Sequence, residues 1–293
     1  MHPAPSIIVF TTLSGIGFGQ IFWWHMLGVF DKGDSPDILF GMAGQILAMI
    51  GLGASLFHLG NPQRAFRAFT QWRTSWLSRE GWLACFALTA HSAAIAVWFF
   101  AQAVIPALSV LAALLALVTI FSTSMIYVSL KTVPHWNHPV NCIIFISFAI
   151  AGGSLFAVSG QIVCLLLIAA ICVQILAWRI GEQQWVQFAA TPESATGLGD
   201  IGQVRLFESP HTTPNYLMRE MVFTIGRKHA RKLRLIAVIC LGVVPVLILL
   251  IWPEIPILGR ILLMLVHLVG CFTSRWLFFA EARHVLGAYY GKR

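Results

Sequence analysis

Apolar residues run through this chain in long unbroken blocks, and the polar positions fall between the blocks rather than alternating within them. Eight blocks can be read, over approximately 7–29, 38–58, 81–104, 107–130, 139–159, 162–180, 233–252 and 258–281. A helix needs roughly 20 apolar residues to cross the hydrocarbon core of a bilayer. The pattern therefore predicts an all-α, polytopic membrane protein with eight transmembrane helices. The blocks are too long and too evenly apolar for the strands of a barrel. No internal repeat marks a boundary, so a single integral membrane domain over 1–293 is expected.

Composition strengthens this reading. Charged residues make up 10% of the chain and hydrophobic ones 58%, with a mean hydropathy of +0.80. A soluble domain carries about 25% charged residues, so lipid is the preferred solvent here. The start, "MHPAPS", has no basic stretch before the first block and no small-residue cleavage site after it. The first helix is thus read as retained rather than removed as a signal peptide. Cys85, Cys142, Cys164, Cys172, Cys240 and Cys271 all lie in the blocks and form no C-x-x-C pair. They read as small apolar packing residues, with no zinc site, disulfide framework or iron–sulfur pattern in this chain.

Charge then orients the chain. The second interblock loop holds Arg64, Arg67, Arg73 and Arg79, and the sixth holds Arg205, Arg219, Arg227, Lys228, Arg231 and Lys232. The C-terminal stretch adds Arg283, Lys292 and Arg293, while the other face has little beyond Lys32 and Arg260. Lys and Arg in short loops mark the cytoplasmic side, so both termini are expected there. The net charge of +8 is thereby gathered on one surface. Attraction to anionic membrane lipids explains it, and so does docking of a soluble partner. No nucleic-acid-binding motif accompanies the charge, and no nucleic acid partner is expected. Connections near Pro106 and Gly160 are tight. The sixth, a cytoplasmic loop over about 181–232, is long for a bundle and reads as functional or disordered. Within it, "NYLMREMVFTIGRKHARKLR" has the mixture of an interfacial amphipathic helix.

One stretch carries candidate chemistry. "SLFHLGNPQRAF", Ser55 to Phe66, closes the second block on the basic side with His58, Gly60, Pro62 and Arg64, and "LSREGW" follows with Glu80 opening the third. Ionisable groups at the membrane point to function. The chemistry that fits is a bound quinone, whose two oxygens accept hydrogen bonds and gain negative charge on reduction. An imidazole donates a hydrogen bond and relays a proton near neutral pH. A guanidinium offers fixed donors, and a carboxylate can carry protons from water. Phe57, Phe66, Trp72, Trp76 and Trp82 could wall an apolar pocket. The same residues also suit plainer roles: His58 at a helix C-terminus, Ser78 as a cap before Glu80, and the arginines as topology markers. Arg275 and Glu281, near the end of the last block, would border the same pocket or pair with each other. His25, His91 and His267 lie in apolar blocks, where paired imidazoles can hold a b-type haem and single ones can bond a neighbouring helix. The glycines of "SGIGFG" and "GLG" read as sites of close helix packing.

The turn "SLFHLGNPQRAF" followed by "LSREG" resembles the signature of the DmsC-like family, membrane anchor subunits of dimethyl sulfoxide reductase and related molybdenum enzymes. The likeness takes in most of the chain, with the H-L-G-x-P-x-R-A turn carrying its specificity. It implies a quinone-site histidine at His58, an acidic partner at Glu80 and the turn arginine at Arg64; Arg275 joins them as a secondary candidate. The sixth-loop sequence "TPESATGLGD…VRLFESPHTTPNYLMREM" is similar to membrane subunits of quinone-dependent sulfite dehydrogenases. The resemblance implies a multi-pass subunit in the bacterial inner (plasma) membrane, passing electrons from cytoplasmic sulfite oxidation to ubiquinone or menaquinone. It implies two partner subunits, a four-cluster ferredoxin-like iron–sulfur subunit and a molybdopterin subunit that performs the sulfur chemistry. No catalytic or metal-ligating residue and no haem are then expected in this chain. A quinol-oxidising anchor of a dimethyl sulfoxide reductase-type enzyme, a transporter or channel, and a purely structural tether are the competing readings.

Overall fold

The computed structural model of the protein describes residues 1–30, 38–158, 160–188, 191–205, 207–208, 213, 216–221 and 229–289. In chain order it contains α1 (Pro5–Phe30), α2 (Ile38–Leu56), a 3₁₀ segment (Pro62–Gln71), α3 (Trp76–Ala101), α4 (Pro106–Val128), α5 (Val140–Ser154) and α6 (Gly160–Phe188). Two short helices follow in the long connection, α7 (Pro192–Thr196) and α8 (Tyr216–Met221). Then α9 (Ala230–Val238) passes through a π-helical turn (Ile239–Val243) into α10 (Val244–Ile251), before α11 (Ile257–Ala280) and α12 (Leu286–Tyr289). No strand occurs among the described residues.

Among the described residues, seven helical runs are long and apolar enough to cross a membrane, counting Ala230–Ile251 as one. The remaining apolar helix, α5, has only 15 residues. Pro139 precedes it, and it ends where the Leu155 N–H turns back to the Gly152 carbonyl. Length matters less for α5 than for its neighbours because protein surrounds it. Val140, Ile144 and Phe148 pack into one core cluster with α6, α10 and α11, and Phe145 and Ala149 into a second with α1, α3 and α4. The outer helices instead turn Met49, Ile50, Phe86 and Leu265 outward.

Lipid tails are as apolar as leucine, so these helices gain by approaching closely rather than by escaping water. Two of the glycines read as packing sites serve this purpose. A Cβ on Gly19 would overlap the Ala149 carbonyl, and one on Gly51 would overlap the Ser14 nitrogen. Any side chain there would force α1 away from α5 or α2. The π-helical turn has an equally local cause. Pro245 has no N–H to give to the Leu241 carbonyl four residues back, and His267 Nδ1 of α11 donates to that carbonyl at 2.6 Å.

The connections collect at two ends. The amino group of Met1 donates to the Ala282 carbonyl at 2.7 Å, His2 N–H to the Glu220 carbonyl at 2.6 Å and Val285 N–H to the Thr132 carbonyl at 3.0 Å. The N-terminus, the α4–α5 connection, the long connection and the stretch after α11 therefore share one end. Arg260 Nη1 reaches the Leu155 carbonyl at the other end, at 3.5 Å. Lys32, Arg227, Lys228, Lys292 and Arg293 lie outside the described residues. The amphipathic reading of 215–234 is met only by α8 and by the start of α9, since 222–228 also lie outside them.

Candidate functional site

The 57–75 turn is built to stay at the surface. Asn61 takes a non-helical backbone ahead of Pro62, since the proline ring disfavours helical geometry before it, and the 3₁₀ segment that follows buries no residue. Two side chains of α3 latch it down. Arg79 donates from Nε to the Trp72 carbonyl at 2.9 Å and from Nη2 to the Arg73 carbonyl at 2.6 Å. Trp82 Nε1 donates to the Phe69 carbonyl at 3.0 Å. His58 and Arg64 stand exposed on this latched turn, beside Phe57 at 87% and Phe66 at 66% exposure. Neither the imidazole nor the Arg64 guanidinium spends a hydrogen bond within the described residues. Donors presented outward on an aromatic surface suit the oxygens of a quinone ring.

Glu80 does not open its helix. It is the fifth residue of α3, about 6 Å from the helix start at about 1.5 Å per residue, and it is buried. The helix is instead entered at Ser75, which makes no side-chain cap, and Ser78 is buried. The Glu80 carboxyl meets the Thr123 hydroxyl of α4, which also lies 3.0 Å from the Thr119 carbonyl. One hydroxyl hydrogen can serve either neighbour. A charged Glu80 accepts it. A protonated Glu80 donates to Thr123 Oγ1 while Thr123 donates to Thr119. Both protonation states are thus hydrogen-bonded at the same site, which suits a group that takes up and releases protons.

Arg275 is buried at 3% exposure in α11. Its guanidinium carbon lies 3.6 Å from the Phe145 ring centroid and 5.2 Å from that of Phe148. It has no hydrogen bond or ion pair among the described residues, and its buried Nε is unpartnered. Glu281 bonds a different arginine. Arg234 of α9 donates from Nε to Glu281 Oε1 at 3.0 Å and from Nη2 to Oε2 at 3.1 Å, and its Nη2 also lies 2.8 Å from Glu182 of α6. Tyr127 lies within electrostatic reach of both Glu80 and Arg275. No hydrogen bond or ion pair among the described residues joins His58 or Arg64 to them.

The intramembrane histidines bond to the protein. His91 Nε2 lies 3.1 Å from the Gly41 carbonyl, which can only accept, so His91 Nδ1 accepts from His25 Nε2–H at 3.0 Å. The two rings touch directly, with centroids 5.0 Å apart, and tie α1, α2 and α3 together in the half away from His58. Gln45 and Ser92 join α2 to α3 there as well, at 2.8 Å.

Sequence reasoning missed Thr123 and Tyr127. Their spacing on α4 as Thr119, Thr123 and Tyr127 repeats every four residues and puts all three on one helix face, which was the available signal. It also missed Arg79 and Trp82 as latches and Arg234 as the partner of Glu281.

This arrangement defines a helical membrane protein with His58 and Arg64 exposed at one end. Residues 1–280 match the family described as DMSO reductase anchor subunit (DmsC), and the chain belongs to that family. A sulfite dehydrogenase subunit of Allochromatium vinosum is 29% identical to it over 330 residues, which cover 99% of this chain and 99% of the relative.

Proposed function

We propose that this chain is the quinone-reactive anchor of a three-subunit molybdenum and iron–sulfur oxidoreductase, passing electrons from sulfite oxidation into the quinone pool of the bacterial inner membrane. Membership of the anchor family and likeness to a sulfite dehydrogenase subunit support the complex. The observation that carries the quinone reading is the outward presentation of His58 and Arg64, with unspent donors, at the same end as buried Glu80. In this reading α5 makes the eighth crossing, its short length tolerated because protein and not lipid surrounds its ends. The end bearing His58 and both termini faces the cytoplasm.

A quinone bound beside the turn supplies the two-electron, two-proton redox change. His58 donates to one of its oxygens, and Arg64 holds the other side through a guanidinium fork. Glu80 moves protons by exchanging hydrogen-bond roles with Thr123. Arg275 adds positive charge behind Glu80 and Tyr127 rather than touching the ring. The iron–sulfur subunit, ferredoxin-like with four clusters, docks on the basic face, where Phe57, Phe66, Trp72, Ile201 and Phe207 are exposed. The molybdopterin subunit lies beyond it and performs the sulfur chemistry.

His58→Ala in the purified complex tests the reading. Quinone-coupled turnover is lost while sulfite oxidation with a soluble acceptor persists; retained quinone coupling refutes it. The family description favours a second reading, with quinol oxidised and dimethyl sulfoxide or a similar acceptor reduced. Offering the complex sulfite plus quinone, and separately quinol plus dimethyl sulfoxide, decides between the two directions.

A further inference from the structure

On the His58 side of the bundle, two buried residues with unpartnered polar atoms line one small cavity. Thr12 is 2% and Arg275 3% exposed, and neither Thr12 Oγ1 nor Arg275 Nε has a hydrogen-bond partner among the described residues. Both residues line a cavity of about 10 Å³, together with Gly15, Phe145, Phe148 and Cys271. The lack of a partner on Thr12 is unusual for a helix. Its neighbour Thr11 donates to the Ile7 carbonyl at 2.9 Å, which is how a threonine commonly satisfies itself there.

A third polar atom follows from the tautomer of His267. The Leu241 carbonyl can only accept, so His267 Nδ1 carries the hydrogen of their 2.6 Å bond and Nε2 is bare. Cys271 Sγ, 3.3 Å from Nε2, therefore donates its S–H to the ring and keeps its lone pairs for the cavity.

We propose that this cavity is a built water site, in which Arg275 Nε–H donates to the water and the water donates to Thr12 Oγ1 and, more weakly, to Cys271 Sγ. The size agrees, since one water needs roughly 10–15 Å³ and between two and four polar partners. A quinone ring or a phosphate does not fit. The chemistry agrees too. Leaving a buried donor unmade is costly, and a water satisfies it without cancelling the charge as a carboxylate would. Arg275 thereby keeps its positive charge for Tyr127. A hydrogen-bonded chain then runs from Arg275 through water, Cys271 and His267 to the Leu241 carbonyl that Pro245 leaves free.

The test is a density map of the intact complex, at a resolution that shows ordered waters elsewhere in the bundle. One peak is expected within hydrogen-bond distance of both Arg275 Nε and Thr12 Oγ1. Thr12→Val keeps the side-chain shape and loses the peak, and Thr12→Ser keeps it. An empty cavity in the wild type, an Arg275 turned to a carboxylate, or a peak unchanged in Thr12→Val overturns the proposal. These readouts are structural, so they stand or fall separately from the quinone reading.

Discussion

Arg234 and Arg275 are two arginines of one helical bundle with opposite surroundings. Arg234 faces two carboxylates, Glu281 and Glu182, and lies 5.2 Å from the Trp178 ring centroid. Arg275 is more deeply buried and faces two phenylalanine rings with no carboxylate bonded to it among the described residues. Aromatic faces attract a cation, but they do not neutralise it. Arg234 joins α6, α9 and α11 at the end of the bundle. A charge held unpaired in a low-dielectric interior reaches further, because less around it screens it. The difference separates an arginine that holds helices together from one whose charge is available to its neighbour Tyr127.

Four substitutions break or sharpen this contrast, from the largest effect to the smallest. Glu80→Gln keeps a hydrogen bond to Thr123 but removes the titratable proton. Quinone-coupled turnover should fall by about 100-fold or more, with soluble-acceptor turnover preserved in the same preparation. Arg234→Met strands Glu281 and Glu182. It should cost about 2 kcal/mol in thermal or denaturant unfolding, below the range for a fully buried pair because Glu182 is half exposed, with turnover per folded complex unchanged. Arg275→Met should do the reverse. Replacing an unpaired buried charge by an apolar side chain leaves stability unchanged or raises it by about 1 kcal/mol, while quinone-coupled turnover falls about tenfold, equivalent to about 1.4 kcal/mol. If Arg275→Met destabilises as much as Arg234→Met, the contrast is wrong. Thr123→Val removes one hydroxyl worth about 1 kcal/mol and should slow quinone-coupled turnover several-fold, with Thr123→Ser restoring it.

Much of the fold was legible because membrane helices write themselves as continuous apolar blocks. All eight blocks are helical, although the fifth is short. The third begins at Trp76 rather than 81, since Ser78, Arg79 and Glu80 look like loop. They are helical because the turn and α4 satisfy them: Arg79 caps the 72 and 73 carbonyls, and Glu80 meets Thr123. The turn bearing His58 and Arg64 was legible through Gly60, Pro62 and the exposed aromatics. Partnerships between distant helices were not. Glu281 and Arg275 are six positions apart and invite pairing on paper, yet the partner of Glu281 comes from Arg234, 47 positions earlier. Thr12 carries no signal at all, because a threonine in an apolar helix ordinarily bonds its own backbone.

The histidines sharpen the same lesson. His25, His91 and His267 lie in apolar helices, where paired imidazoles can hold a haem or single ones bond a neighbouring helix, and each donates within the bundle. The His58 imidazole, at the surface, spends no hydrogen bond within the described residues.

The most direct measurement is a map of the complete complex in lipid nanodiscs with a non-reducible quinone analogue added. The ring is expected against His58 and Arg64, near the Trp76–Glu80 end of α3, with an iron–sulfur cluster of the partner on the same side. Lipid tails filling that space, with the analogue bound instead at the His25–His91 end, would contradict it.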